Sequence, residues 1–212
     1  MESSTTRFQR IAIWVIAIVL GIGTLAGFIA LIFSSQNSNA EQSDYQAAYT
    51  QYQQAVQDQA NQLSDKYYAE FSTYSSEVGE FDPSSVTDLQ TKDLKVGDGD
   101  TLTATSSFTA YYIGWTPYGK IFDQSIDGTK LKAPFDVTPG GVIDGWTQGV
   151  VGMKVGGVRE LTIPADQAYG ANPPSGTIIE ANMPLKFVIM VIPTPDEVPI
   201  PQALQDYLNS QN

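Results

Sequence analysis

The chain has 212 residues, a formal net charge of −12, no cysteine and no histidine. These absences exclude disulfides, cysteine-linked lipid anchors, the usual zinc sites and Ser-His-Asp hydrolysis, so any catalysis has to proceed without a histidine proton relay. Residues 41–80 carry seven acidic residues against one lysine, whereas residues 86–193 are nearly balanced, with eleven acidic and eight basic residues. No segment forms a basic face for nucleic acid, and we expect no metal and no cofactor.

The first strong pattern is an uncharged apolar run at residues 11–33. As a helix, its 23 residues span about 34 Å, which is enough to cross a hydrocarbon core of about 30 Å. Arg7 and Arg10 precede the run, and no basic residue follows it until Lys66. The positive-inside rule therefore predicts a single-pass membrane protein with residues 1–10 in the cytoplasm and the remainder outside it.

A signal peptide cleaved near Ala40 is the alternative, because small residues stand at Ser38 and Ala40. The apolar run is longer than the roughly 7–15 residues of a signal-peptide core, which favours an uncleaved anchor. Both interpretations export the rest of the chain. Gly23 and Gly27 have the spacing of a helix-dimer motif, for which chance is the simpler explanation.

Residues 34–43 are a polar linker, and residues 44–79 form a spacer rich in tyrosine and glutamine. The apolar positions of the spacer recur at steps of four, three and four residues, which predicts a helix over residues 44–78 of roughly 50 Å. Asp44 is a suitable N-cap and Gly79 a suitable stop. Three alternatives stay open: a helix that packs partly on its own domain, self-association through residues 44–78 into a stalk, and disorder.

A domain with a different periodicity covers residues 86–193, and a C-terminal tail covers residues 194–212. β-Branched and aromatic residues dominate its extended segments, so the fold class is α+β, an antiparallel sheet with one short helix. Residues 93–100 are predicted to form a turn, residues 144–151 the helix, and residues 202–209 a short amphipathic helix in the tail. The predicted extended segments are residues 86–89, 101–114, 120–123, 133–137, 156–164 and 184–192.

The motifs of this domain follow one another in a specific order. They are Tyr112-x-Gly114, Phe122-Asp123-x-Ser125, Pro134-Phe135-x-Val137, Val142-Ile143-x-Gly145-Trp146, Leu161-Thr162-Ile163-Pro164, Ala168-Tyr169-Gly170, Ile178-Ile179 and Leu185-x-Phe187. In this order the motifs resemble the FKBP family of peptidyl-prolyl cis/trans isomerases. The resemblance covers about half of the chain and leaves out residues 1–85.

The resemblance implies an FKBP-like sheet wrapped on the short helix, and prolyl isomerase activity. It assigns catalytic roles to Phe122, Asp123, Trp146 and Tyr169, with Trp146 as the floor of the pocket. Substrate binding would fall to Tyr112, Phe135, Val137, Val142, Ile143, Ile178, Ile179 and Phe187. Macrolide inhibitors would bind in the same pocket. Tyr111, adjacent to Tyr112 on the same strand, is expected to face the opposite side of the sheet and to be structural.

Rotation about a prolyl bond needs neither a proton relay nor a covalent intermediate, so it suits a chain without histidine. The expected substrates are proline-containing segments of exported or cell-surface proteins. A non-catalytic holdase or scaffold that binds such segments is the alternative function. One departure from the family pattern affects the site. Residues 125–132 lack the arginine that many members pair with the aspartate, which leaves Lys130 or Lys132 as its replacement.

Overall fold

The computed structural model describes residues 39–210. The expected membrane segment, residues 11–33, and the cytoplasmic N-terminus, residues 1–10, lie outside the described residues. Within residues 39–210, no helix combines the length and the apolar character needed to cross a membrane.

Three α-helices, three short 3₁₀ helices and eight strands make up residues 39–210. The helices are α1 (Asn39–Phe71), α2 (Asp144–Gly149) and α3 (Gln202–Ser210). The strands are β1 (Gln90–Lys95), β2 (Phe108–Trp115), β3 (Ile121–Gln124), β4 (Ile126–Asp127), β5 (Lys130–Leu131), β6 (Phe135–Val137), β7 (Val158–Ile163) and β8 (Leu185–Ile192). The predicted α+β class, an antiparallel sheet with one short helix on it, is confirmed.

The main sheet is antiparallel and has the strand order β1-β7-β8-β2-β3, with β6 also paired to β2. Strand β8 therefore lies at its centre, where Ile189 is paired with Tyr112 and Phe187 with Gly114. Side chains alternate between the two faces of a strand, so Tyr112 and Gly114 share one face while Tyr111 shares the other with Ile113. The expectation that Tyr111 and Tyr112 point in opposite directions is met.

The face of the sheet that carries Tyr112 packs against α2 and forms the front core. Trp146 and Ile143 contribute to it from α2 and its N-cap, and Leu161, Phe187 and Ile189 from the central strands. Burial of these apolar side chains holds the short helix on the sheet, because a helix of six residues has little stability of its own.

The opposite face of the sheet forms a second, back core that is covered by the C-terminal half of α1. Phe71 is fully buried there and its ring lies 5.9 Å from that of Tyr111. Tyr67 also contacts Tyr111, at 6.0 Å between ring centroids. Trp115, which is fully buried as well, donates a hydrogen bond from Nε1 to the Gly79 carbonyl at 3.1 Å. This half of α1 packs on its own domain, which is one of the three alternatives that the sequence left open.

The N-terminal half of α1 carries the C-terminal tail. Tyr45 and Ala48 of α1 and Leu204 of α3 are buried, and the two helices are in contact. The Gln59 side chain also donates to the Asp196 carbonyl at 2.6 Å. The tail is therefore held against α1 at the Asp196 carbonyl and at Leu204.

Several predicted boundaries are wrong. The long helix starts at Asn39, inside the predicted linker, and residues Ser72–Glu77 are a 3₁₀ helix rather than a continuation of α1. Residues 86–89 are not a strand. The strand is β1, which takes in part of the predicted turn at residues 93–100 because Asp93 is paired with Arg159 of β7.

The predicted strand at residues 101–114 begins only at Phe108. Before it, the hydroxyl of Ser106 accepts a hydrogen bond from the Thr103 amide at 2.9 Å, and the chain turns. Serine and threonine hydroxyls compete in this way with the hydrogen bonds of a sheet, which explains why a run of β-branched residues does not extend the strand.

Candidate active site

The centre of the candidate site is the indole of Trp146, which is only 4% exposed. Three aromatic rings meet it edge to face: Tyr112 at 5.5 Å, Phe187 at 5.4 Å and Phe135 at 6.3 Å between centroids. Edge-to-face pairs at such distances are favourable beyond the area that they bury. The floor of the site is therefore held in one orientation by strands β2, β6 and β8.

Two glycines bring α2 close enough to the sheet for this contact. A Cβ atom added at Gly145 would lie 2.3 Å from Cγ2 of Ile163, and one added at Gly149 would lie 2.8 Å from Cδ1 of Leu161. Real carbon atoms do not approach so closely, so glycine is required at both positions by the packing. The spacing of the glycines around Trp146 is thus a consequence of how near the helix lies to β7.

Arg159 of β7 anchors the C-terminal end of α2. It donates from Nη1 to the carbonyls of Gly149 at 2.9 Å and Val151 at 3.0 Å. Its Nε and Nη2 donate to the two carboxylate oxygens of Asp93 in β1, at 2.6 and 3.2 Å. The guanidinium satisfies carbonyls that the short helix leaves unpaired and ties α2 to the sheet edge. Sequence reasoning missed Arg159, although a basic residue inside an alternating apolar strand was a signal for it.

Phe122 and Phe187 form a second wall beside Gly114. Their rings meet edge to face at 5.5 Å. A Cβ at Gly114 would lie 2.6 Å from Cζ of Phe122 and 2.7 Å from Cε1 of Phe187. The two phenyl rings therefore occupy the space that a side chain at position 114 would need.

Asp123 is the charged group at the rim of the site. Its Oδ2 accepts a hydrogen bond from the Tyr112 hydroxyl at 2.5 Å, and its Oδ1 accepts one from the Gln124 amide at 2.8 Å. Burial, and next the hydrogen bond to this carboxylate, raise the pKa of Tyr112 well above its usual value. Tyr112 therefore remains a neutral donor that orients the Asp123 carboxylate.

Of the two lysines considered as partners of Asp123, Lys132 is the one that lies beside it. Its Nζ lies 3.9 Å from Oδ1 of Asp123 and donates to the Gln124 carbonyl at 2.8 Å. The Lys132 and Asp123 side chains are both partly exposed, so the attraction between them is weak and is screened by salt. No ion pair within residues 39–210 involves Lys130.

Tyr169 supplies a second hydroxyl near the same carboxylate. Burial, and to a lesser extent the negative charge of Asp123, raise the pKa of Tyr169 to about 12. The phenol is thus fully protonated at neutral pH and is able to donate a hydrogen bond. The backbone amide of Ile143 at the N-cap of α2 donates to no group within residues 39–210.

The remaining residues expected to bind substrate fall into two groups. Val137, Ile143 and Ile179 are buried in the front core, where they support the site from beneath. Phe135 and Val142 are half-buried and border an open cavity of about 290 Å³ that is lined by residues 135–142. Ile178 differs from all of these because its side chain is 49% exposed.

The structure thus places buried aromatic side chains next to the Asp123 carboxylate. The front core includes or is contacted by the site residues Tyr112, Phe122, Phe135, Val142, Trp146, Tyr169 and Phe187, and Asp123 is hydrogen-bonded to Tyr112. Within residues 39–210, no group of three or more acidic side chains is placed to hold a metal ion. An arrangement of this kind can contact an apolar ring and hydrogen-bond a peptide backbone.

Fold and site together define an antiparallel sheet packed on a short helix, with a buried tryptophan of that helix surrounded by aromatic rings of the sheet. The family model described as FKBP-type peptidyl-prolyl cis-trans isomerase matches residues 98–192. An FK506-binding protein of Streptomyces anulatus is 45% identical over 103 residues, which are 48% of this chain and 82% of that protein. An FK506-binding protein of Neisseria meningitidis serogroup B is 40% identical over 89 residues, 41% of this chain and 79% of that protein.

A crystal structure of a peptidyl-prolyl cis-trans isomerase from Pseudomonas syringae pv. tomato is 34% identical and superposes with a TM-score of 0.44, covering 52% of this chain and 78% of that one. From the sequence relatives, the chain belongs to the FKBP-type peptidyl-prolyl cis-trans isomerase family and is an enzyme of that class.

Proposed function

We propose that this enzyme accelerates prolyl-bond rotation in exported or cell-surface proteins by enclosing the proline ring in the aromatic pocket around Trp146. The observation that carries the proposal is the buried indole, with the rings of Tyr112, Phe135 and Phe187 directed at it edge to face. A flat apolar floor with aromatic walls fits a pyrrolidine ring. The pocket would receive that ring through the opening beside Phe135 and Val142.

The barrier to be lowered, roughly 18–20 kcal/mol, comes from the resonance of the amide bond. Water hydrogen bonds favour the planar, charge-separated amide, so their removal in an apolar pocket lowers the cost of twisting it. Walls that fit the twisted bond better than the planar one add differential binding of the transition state. Neither effect requires a proton to move, which agrees with the absence of histidine from the chain.

The polar groups at the rim would orient the substrate. The protonated Tyr169 hydroxyl and the Ile143 amide are donors suited to substrate carbonyls. The Asp123 carboxylate, oriented by the hydrogen bond from Tyr112, would polarise the site near the carbonyl group that rotates out of conjugation. Fixed dipoles aimed at a developing charge stabilise a transition state without reorganisation.

A protease-coupled prolyl peptide assay on the full-length chain tests the pocket. We expect Trp146→Leu to lower kcat/KM at least about tenfold, since a misplacement of about 1 Å already costs up to 10²-fold. Trp115→Leu is the matched control, because Trp115 is equally buried but lies in the back core. It should lose stability and keep its activity.

Equal activity losses in both variants would mean that Trp146 acts only as core. If the unmodified chain gives no acceleration but still suppresses aggregation of an unfolded protein, the holdase alternative replaces the enzyme mechanism proposed here.

The proposed location of the isomerase domain is outside the cytoplasm. Residues 11–33 would tether it to the membrane, and residues 1–10 would lie in the cytoplasm. Support comes from the 23 uncharged residues of this run and from Arg7 and Arg10 on one side of it. Protease added to intact cells should digest residues 39–212, and alkaline carbonate should leave the chain in the membrane fraction. A shorter mature chain in the soluble fraction would instead indicate cleavage near Ala40.

A macrolide is the second ligand class proposed for this pocket, since the relatives carry the name FK506-binding protein. FK506 should inhibit the isomerase competitively, and Trp146→Leu should weaken the inhibition together with the activity. Inhibition that survives this substitution would place the macrolide elsewhere.

A further inference from the structure

The long helix α1 reaches the rim of the active site through the segment 125–132, which we call the rim hairpin and which contains β4 and β5. Ser64 of α1 is only 2% exposed, and its Oγ accepts a hydrogen bond from the Leu131 amide at 2.8 Å. Tyr68, one turn further along, donates to the Gly128 carbonyl at 3.3 Å. The helix therefore holds the hairpin at both its turn and its second strand.

The other side of the rim hairpin is bonded to the site. Ser125 exchanges two hydrogen bonds with Tyr112: its Oγ accepts from the Tyr112 amide at 2.9 Å and its amide donates to the Tyr112 carbonyl at 2.8 Å. The Lys132 amide donates to the Ser125 carbonyl at 2.8 Å, and the Lys132 ammonium lies 3.9 Å from Asp123. The amide that Ser64 binds thus belongs to the residue directly before Lys132, the cation beside Asp123.

Ser64 is an unusual choice for its position. Serine is a poorer helix former than alanine, and a hydroxyl buried in an apolar environment costs free energy unless it is hydrogen-bonded. Alanine at position 64 would suit the helix but would leave the buried Leu131 amide without its acceptor. The hydroxyl is therefore explained by what it does for the rim hairpin.

We propose that Ser64 is a positioning residue of the isomerase, which fixes the rim hairpin so that Lys132 remains beside Asp123. The proposal rests on the site proposed above. It makes α1 a part of the working enzyme, although α1 lies wholly outside residues 98–192, which carry the family match. The pocket of this chain is then completed by a segment that precedes its isomerase domain.

The test is a double-mutant cycle on the full-length chain, read as kcat/KM for a prolyl peptide blocked with uncharged groups. We expect Ser64→Ala and Lys132→Met each to lower kcat/KM about two- to fivefold, the range that a weak, partly exposed ion pair allows. Because Ser64 acts through Lys132, the double variant should lose no more than Lys132→Met alone. Losses that multiply in the double variant would overturn the proposal.

The dependence of kcat/KM on salt concentration is a second measurement. A purely structural role of Ser64 would leave this dependence unchanged. The attraction between Lys132 and Asp123 is screened, so kcat/KM of the unmodified chain should fall as ionic strength rises. Ser64→Ala and Lys132→Met should both abolish this dependence. An unchanged salt dependence in Ser64→Ala would contradict the proposal.

Phe71→Leu is the matched control, because Phe71 lies on the same helix and packs on Tyr111 in the back core, and it makes no side-chain hydrogen bond to the hairpin. It should lower Tm at least as much as Ser64→Ala and leave kcat/KM unchanged. Loss of activity in both variants would reduce Ser64 to a stability role. Asp123→Asn separates the two proposals: if it leaves activity unchanged, the proposed site is wrong. If Asp123→Asn loses activity while Ser64→Ala does not, the proposed site stands and only the proposed role of Ser64 is wrong.

Discussion

The close contact of Gly114 with two phenyl rings allows the pocket to be deformed by a single methyl group. Position 114 lies in β2, where its backbone conformation is open to alanine. The added Cβ would stand 2.6 Å from Phe122 and 2.7 Å from Phe187. Since carbon atoms pack at about 3.5–4.0 Å, both rings have to retreat by roughly 1 Å.

This retreat changes the site because Phe187 also contacts the Trp146 indole, at 5.4 Å between centroids. Overpacking of this kind costs about 1–3 kcal/mol of stability. A displacement of about 1 Å at a reacting site lowers rates by up to about 10²-fold. For Gly114→Ala we therefore expect a folded protein whose kcat/KM falls roughly ten- to a hundredfold in the protease-coupled assay.

Gly99→Ala is the matched control for this prediction. Its Cβ would lie 2.9 Å from Cβ of Val155, so it also overpacks, but the three nearest atoms all belong to Val155 rather than to the aromatic residues of the site. It should lose a similar amount of stability in urea and keep its kcat/KM. If Gly114→Ala is folded and retains kcat/KM within about twofold, the aromatic wall does not shape the transition state and the reasoning fails.

Three further predictions follow from the packing and the charges. Phe71→Ala should lower the free energy of unfolding in urea by about 3–5 kcal/mol, because the ring is fully buried between α1 and the sheet. Thr50→Ala, on the exposed side of the same helix, should change it by less than about 0.5 kcal/mol. Arg159→Met should cost about 2–3 kcal/mol and lower kcat/KM, since the C-terminal carbonyls of α2 lose their donor; an unchanged midpoint and rate would refute its anchoring role. The free energy of unfolding should be constant from about pH 6 to 9 and should fall above about pH 10. Tyrosine in the unfolded chain ionises near pH 10, whereas the pKa of Tyr169 in the folded protein is about 12. Between these values the folded state retains a proton that the unfolded chain releases, and this favours unfolding. Urea midpoints at three pH values, compared with those of Tyr169→Phe, would measure the slope, which should be smaller in the variant.

The sequence predicts the central elements of the fold well, because their signal is strong and local. Strands β2 and β8 consist almost wholly of buried β-branched and aromatic residues. The short helix is marked by its flanking glycines. In contrast, β1 is almost fully exposed and reads QTKDLK, so neither alternation nor β-propensity marks it. It is a strand only because its backbone pairs with β7.

The residues of the candidate site also differ in how well the sequence predicts them. The aromatic residues are predicted by their motifs, because residue types and spacings can be read directly from the sequence. The contribution of Ser64 depends on a contact between residues 67 positions apart. No local pattern encodes such a distance. Between Lys130 and Lys132 the choice depends on the register of a hairpin with two-residue strands, which are too short to show periodicity.

The position of β8 at the centre of the sheet has a consequence for biosynthesis. A ribosome that has reached residue 184 has made β1, β2, β3, β6 and β7 but not the strand that joins the two halves of the sheet. The nascent chain then also lacks Phe187. The back core that α1 covers is incomplete until β8 is made, more than a hundred residues after α1 has been synthesised. Folding that depends on such distant pairings is slow and cooperative, so the domain forms as one unit after synthesis of β8. A chain truncated before Leu185 would consequently have neither fold nor pocket, and would not behave as a weakened enzyme.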